Sequence, residues 1–164
     1  LDEPNLYDLS VKIEKNGQII EEAIEEIGFR HAVVKEDGFY LNDKKIELFG
    51  TNRHQQYPYI GIAASENAQR REARLLKESG INTLRLAHYP QSPAFLSECD
   101  RVGIVVIDCV PGWQYWGGKV WQARLQQNLI DMIRRDRNHC SCIIFEITPN
   151  ETYCMSAKGD AYYI

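Results

Sequence analysis

The sequence predicts an α/β protein, most of it built on parallel strands arranged as in a (β/α) barrel. Three observations point there. Strand-like and helix-like stretches alternate from Ile46 onward, the pattern of a parallel sheet with right-handed crossovers. The apolar run Cys142 to Thr148 lacks a helical period, follows a charged segment and stops at Pro149, which predicts a strand buried on both faces. Polar and aromatic residues follow each strand in turn, where a parallel barrel collects its working groups. A doubly wound sheet would satisfy the alternation equally well. The residues after the strands favour the barrel, and no G-x-G-x-x-G follows any strand to cradle a dinucleotide.

In chain order, Tyr7, Leu9, Val11 and Ile13 alternate with Asp8, Ser10 and Lys12 as in a half-buried strand, and Asn16-Gly17 is a strong hairpin signal. Ile19 to Phe29 fits two patterns, since Ile20, Ala23, Ile24 and Ile27 also form a helical stripe; the turn just before favours a strand. So few strands make no stable sheet alone and read as the end of a sandwich domain. A composition shift at Glu36-Asp37-Gly38 marks the boundary, giving residues 1–36 and 37–164 as the two domains. Phe39 to Leu41, a turn at Asn42-Asp43 and Ile46 to Gly50 form a short hairpin. Strands are then expected at Ile46 to Thr51, Ile81 to Ala87, Ile104 to Asp108 and Cys142 to Thr148. Helices are expected between them at Glu66 to Ser79, Ser92 to Arg101 and Trp121 to Arg135, with Gly80 and Gly103 placed as left-handed caps.

The 164 residues are 44% hydrophobic, enough for a real core. A net charge of -4, with basic residues scattered among acidic ones, argues against a nucleic-acid partner. No run reaches membrane-spanning length, so no membrane partner is expected. Leu1 to Leu6 has neither the basic start nor the apolar centre of a signal peptide and reads as the interior of a longer protein, which leaves the compartment open. The five cysteines include no C-x-x-C pair, and Cys140-x-Cys142 beside His139 lacks further ligands; they are read as small buried hydrophobes.

The residues after the strands carry the chemistry. Thr51-Asn52-Arg53-His54 offers donors and an imidazole in a loop. Arg85 lies within a strand, and a buried charge there needs a carboxylate nearby in the barrel mouth. His88 follows at that strand's end. Trp113, with Tyr115, Trp116 and glycines, forms an aromatic loop whose faces suit the C–H surfaces of sugar rings as well as a hydrophobic core. Glu151, preceded by Asn150, follows the last strand. The run Arg134 to His139 falls at the opposite end and is read as structural, its cations complementing a helix terminus.

These pieces resemble glycoside hydrolase family 2, the group of β-galactosidases, β-glucuronidases and β-mannosidases. The matching stretches are IGFR at Ile27, GTNRH at Gly50, RLAHYPQSPAFL at Arg85, CDRVGIVV at Cys99, PGWQ at Pro111, RRDRNH at Arg134 and NE at Asn150. The resemblance implies the end of an immunoglobulin-like sandwich followed by the first half of a (β/α)8 TIM barrel. It implies a retaining glycosidase in which Glu151 is the general acid/base, Asn150 contacts the sugar 2-hydroxyl, and His54, Arg85 and His88 line the sugar subsite. β-Galactosides are the expected substrates. The nucleophile would be a later glutamate with no counterpart in this chain. No cofactor is required by these residues, though the resemblance leaves room for a divalent or monovalent cation, and for a homo-oligomeric full-length protein. Three departures stand out: Cys140 where relatives have Pro, Phe145 where they have Trp, and Cys109 where Glu is common. The tail Cys154 to Ile164 matches nothing in the pattern. Two other readings compete: a non-catalytic truncated product, binding sugar weakly or serving in assembly, and a metal-dependent hydrolase using His54, His88, Asp108 and Glu151. The latter is disfavoured by ligand spacing.

Overall fold

The computed structural model describes residues 1–113, 115 and 117–147. The chain opens with an antiparallel ribbon of β1 (Tyr7–Lys15) and β2 (Gln18–Ile27). Asn16 and Gly17 take φ of 53° and 75°, the left-handed pair that lets a two-residue turn follow strand twist. The stretch from Ile19 is therefore a strand, and its helical stripe is not used.

A second antiparallel sheet joins β3 (Ala32–Lys35), β4 (Gly38–Leu41) and β5 (Lys44–Ile46). Glu36 and Asp37, where the composition shifts, form the turn between β3 and β4, which pair from Ala32↔Leu41 to Lys35↔Gly38. The division between the first two sheets falls between Ile27 and Ala32.

The third sheet is parallel and follows chain order: β6 (Gly50–Arg53), β7 (Thr83–Leu86), β8 (Val105–Cys109) and β9 (Cys142–Glu146). Its connections are α1 (Glu66–Glu78), α2 (Pro93–Val102) and α3 (Lys119–Asp136). Strands added strictly in order mean one direction of winding, as in barrel staves, whereas a doubly wound sheet reverses its order at a switch point. The strand expected over Ile46 to Thr51 is split, with Ile46 ending β5 and β6 starting at Gly50. Asn82 explains the gap. Its side chain accepts from Phe49 N at 2.7 Å and donates to Glu47 O at 2.8 Å, taking up backbone groups a strand ladder would use. Gly50 is required where β6 meets β7, because a Cβ there would lie 1.8 Å from Thr83 O.

Local chemistry sets the helix ends. Ser65 Oγ accepts from Ala68 N at 3.4 Å to cap α1, and Pro93 opens α2, where its missing N–H costs nothing. Gly80 and Gly103 take φ of 91° and 74° just past α1 and α2, as their spacing predicts. The main core lies between sheet and helices: Leu84, Leu86, Val106 and Cys142 pack against Ala73, Phe95, Leu96 and Cys99. Each large side chain fully buried there contributes about 1.5–3 kcal/mol.

The opposite face of the sheet is more open. β9 is not buried on both faces as its apolar run suggests: Cys142 is buried, but Ile144 is 38% exposed on the side away from the helices. Apolarity reported the strand correctly, not its cover. The run Arg134 to His139 is structural, held by ion pairs as well as by its helix end. Arg135 Nη2 donates to Gln91 O at 2.9 Å, while Asp100 accepts from Ser141 N at 2.7 Å and lies 2.6 Å from His139 Nδ1. No described helix is long and apolar enough to cross a membrane.

Candidate active site

Side chains alternate across a parallel strand, so each stave sends one set of residues toward the helices and the other toward the barrel axis. On β6, Arg53 turns to the helices and Asn52 to the axis. Arg53 is 4% exposed; it donates to Glu72 at 2.6 and 3.0 Å and to Gln69 at 2.7 Å, and lies 3.6 Å over the Phe95 ring. It also bonds Gln91. The GTNRH segment is thus strand through Arg53, not loop, and its arginine belongs to the framework.

The axis-facing residues gather around Arg85. Its Nε and Nη2 donate to the two carboxylate oxygens of Glu146 at 2.7 and 2.6 Å, the bidentate fit of a guanidinium fork. Its Nη1 donates to Asn52 Oδ1 at 3.4 Å and lies 3.5 Å from His88 Nδ1. A guanidinium has only donors, so a bond across that gap makes Nδ1 the acceptor and leaves the ring proton on Nε2. His88 in turn meets His54 edge-on at 5.3 Å between ring centres and stacks on Trp113 at 6.2 Å with planes 15° apart. His54, Arg85, His88 and Trp113 therefore form one contiguous group at the carboxyl ends of β6, β7 and β8. Trp113 is 60% exposed, leaving an aromatic face toward solvent.

Sequence reasoning called for a carboxylate beside Arg85 without locating it; it is Glu146, the last residue of β9. The available signal was a charge at the end of an otherwise apolar strand. Cys109 is the register partner of Glu146 and donates its Sγ–H to Glu146 Oε2 at 3.0 Å. The carboxylate that balances Arg85 thus comes from β9 rather than β8. Electrostatics agree with these roles. Burial works to raise the Glu146 carboxyl, but the hydrogen bonds from Arg85 and Cys109 outweigh it and hold it below the ordinary range. Burial and the neighbouring Glu146 push the Cys109 thiol up, so it stays a protonated donor.

Asn150, Glu151 and Trp116 lie outside the described residues. The cation that the resemblance leaves room for finds no donor set among the described residues, where no three His, Cys, Asp or Glu side chains gather to hold a metal. Glu146 is already committed to Arg85.

Barrel staves in chain order thus bring two imidazoles, a clamped arginine and an indole together at one mouth. A model described as the TIM barrel domain of the glycosyl hydrolases family 2 matches residues 32–163, and the chain belongs to that family. It is 45% identical over 164 residues to a β-galactosidase of Thermoanaerobacterium thermosulfurigenes, a match covering 99% of this chain and 22% of that protein. It is 37% identical over 152 residues to a putative β-glucuronidase of Formosa agariphila, covering 92% of this chain and 18% of the relative. Among solved structures, a β-glucuronidase of Parabacteroides merdae superposes with a TM-score of 0.85 at 32% identity, over 99% of this chain and 22% of that one. The chain spans about a fifth of the length of these relatives.

Proposed function

We propose that this chain supplies the acid/base half of a retaining β-glycosidase site acting on β-galactosides, with its opening ribbon, β1 and β2, ending an immunoglobulin-like domain. The observation that carries the reading is the single group formed by His54, Arg85, His88 and Trp113 at the strand ends, with Asn150-Glu151 following β9 in sequence. Identity to a β-galactosidase along nearly the whole chain supports the choice of sugar. In this reading the Trp113 face packs on the sugar ring, while His54, His88 and Asn150 bond its hydroxyls. Glu151 protonates the departing glycosidic oxygen as a second glutamate attacks the anomeric carbon. It then removes a proton from the water that releases the sugar.

The test is Glu151→Gln in the intact gene product, assayed on aryl β-galactosides and β-glucuronides. Hydrolysis of β-galactosides with poor leaving groups should fall ~10²–10⁴-fold, the usual worth of acid–base assistance. An activated aryl galactoside needs no proton to depart, so its glycosyl-enzyme should accumulate, and azide, which needs no general base, should restore turnover. Equal losses for good and poor leaving groups, without azide rescue, would make Glu151 a binding or structural carboxylate. Faster turnover of the β-glucuronide would overturn the sugar assignment alone.

A further inference from the structure

We infer that Glu146 is a positioning residue of this site: it holds Arg85 by two of its three nitrogens and so fixes where the third, Nη1, presents itself beside His88 and Asn52. The inference rests on the reading of Arg85 and His88 as part of a sugar subsite, and adds a residue that reading does not contain.

The geometry carries it. An arginine has four side-chain torsions and would sample many positions at an open barrel mouth; a carboxylate binding Nε and Nη2 together removes that freedom, because the planar fork fits only one way. Both bonds are short, at 2.7 and 2.6 Å, and both partners are only about one-quarter exposed, with side-chain exposures of 23% and 22%. Glu146 is itself held. Cys109 donates to the same Oε2 that receives Arg85 Nε, so the carboxylate plane is fixed from β8 as well as from β7. With that edge taken, Nη1 is the nitrogen turned to His88 Nδ1 at 3.5 Å and Asn52 Oδ1 at 3.4 Å. The linkage also places Arg85 against an acceptor ring nitrogen, so a displaced guanidinium would change both the direction of a donor and the tautomer bias of His88.

Because Cys109 and Glu146 are register partners with side chains in contact, a carboxylate at either position would reach Arg85. This gives a rescue that a general packing role would not provide.

The experiment compares Glu146→Ser, Arg85→Lys, their combination, and the swap Glu146→Ser with Cys109→Glu, all in the intact gene product. It uses aryl β-galactoside kinetics, thermal melting and crystal structures of the variants. Glu146→Ser should lower kcat/KM by roughly 10–100-fold, the scale of a misplaced catalytic-site group. The double variant should be no worse than Arg85→Lys alone, and the swap should recover most of the loss. In the crystal, the guanidinium should leave its place beside His88 in Glu146→Ser and return to it in the swap. An unmoved guanidinium, or kcat/KM held within about twofold, would overturn the inference, as would losses that multiply in the double variant. If the parent hydrolyses no glycoside, the functional reading fails, while the guanidinium's position in the variant crystals still decides whether Glu146 holds it.

Discussion

Asp108 should make the fold's stability fall as pH rises through the neutral range, against the usual behaviour of an aspartate. It is fully buried on the helix-facing side of β8, and both its oxygens lack a donor among the described residues. Burial raises its pKa to about 8, helped by Asp136 and opposed by Arg135. Asp136 is also fully buried, but it accepts from Arg135 Nε and Nη2, each at 2.7 Å. The proton therefore sits on Asp108, where it supplies the donor missing between the two carboxyls. An acid whose folded pKa is raised keeps its full stabilising contribution below its unfolded value of about 3.9 and loses it as pH climbs toward the folded one. For a single proton the slope reaches about 1.4 kcal/mol per pH unit, which at about 2–4 °C in Tm per kcal/mol for a domain of this size is about 3–6 °C per pH unit. Asp108→Asn has the shape of the protonated acid, with an N–H to give Asp136 and nothing to titrate. Melting of parent and variant between pH 5 and 8, taken as a difference, cancels the other titrations. The variant should gain on the parent with each unit, by about 7–14 °C across the range. A constant difference would show that Asp108 is ionised in the fold.

Arg53→Met should cost about 3–5 kcal/mol, the penalty for stranding one member of a buried ion pair. Adding Glu72→Met should return part of that loss, and additive effects in the double-mutant cycle would show that the pair does not act as a unit. The chain of residues 1–164 expressed alone should hydrolyse no aryl β-galactoside, since covalent catalysis needs a second carboxylate placed about 5–5.5 Å from the first. Turnover by a clean preparation, abolished by Glu151→Ala, would contradict this and would also remove the non-catalytic reading.

Much of the barrel was legible because its signals are local. Helix periodicity, the glycine caps and the Asn-Gly turn depend on neighbours within a few residues, and α1, α2 and α3 form within two residues of their expected ends. The errors came where distant residues decide. The split between β5 and β6 depends on Asn82, far along the chain, claiming the backbone at Glu47 and Phe49. Arg53 reads as a loop donor because no local pattern says that Glu72 and Gln69 wait for it on α1. Arg85 implies a carboxylate without naming it as Glu146, since charge balance is a long-range condition that one member of a pair can announce.

The alternation of side chains across each stave explains why residues adjacent in sequence have such different work. Asn52 and Arg53, or Asp108 and Cys109, share a backbone but face different solvents. On the helix side Arg53 must satisfy its charge with Glu72, Gln69 and the Phe95 ring, and Asp108 keeps its proton because water cannot reach it. On the axis side Arg85 and Glu146 remain partly exposed, so their pairing costs less desolvation. Substitutions on the two faces should therefore separate: helix-side changes should appear in melting temperature, and axis-side changes in kcat/KM, even between consecutive residues of one strand.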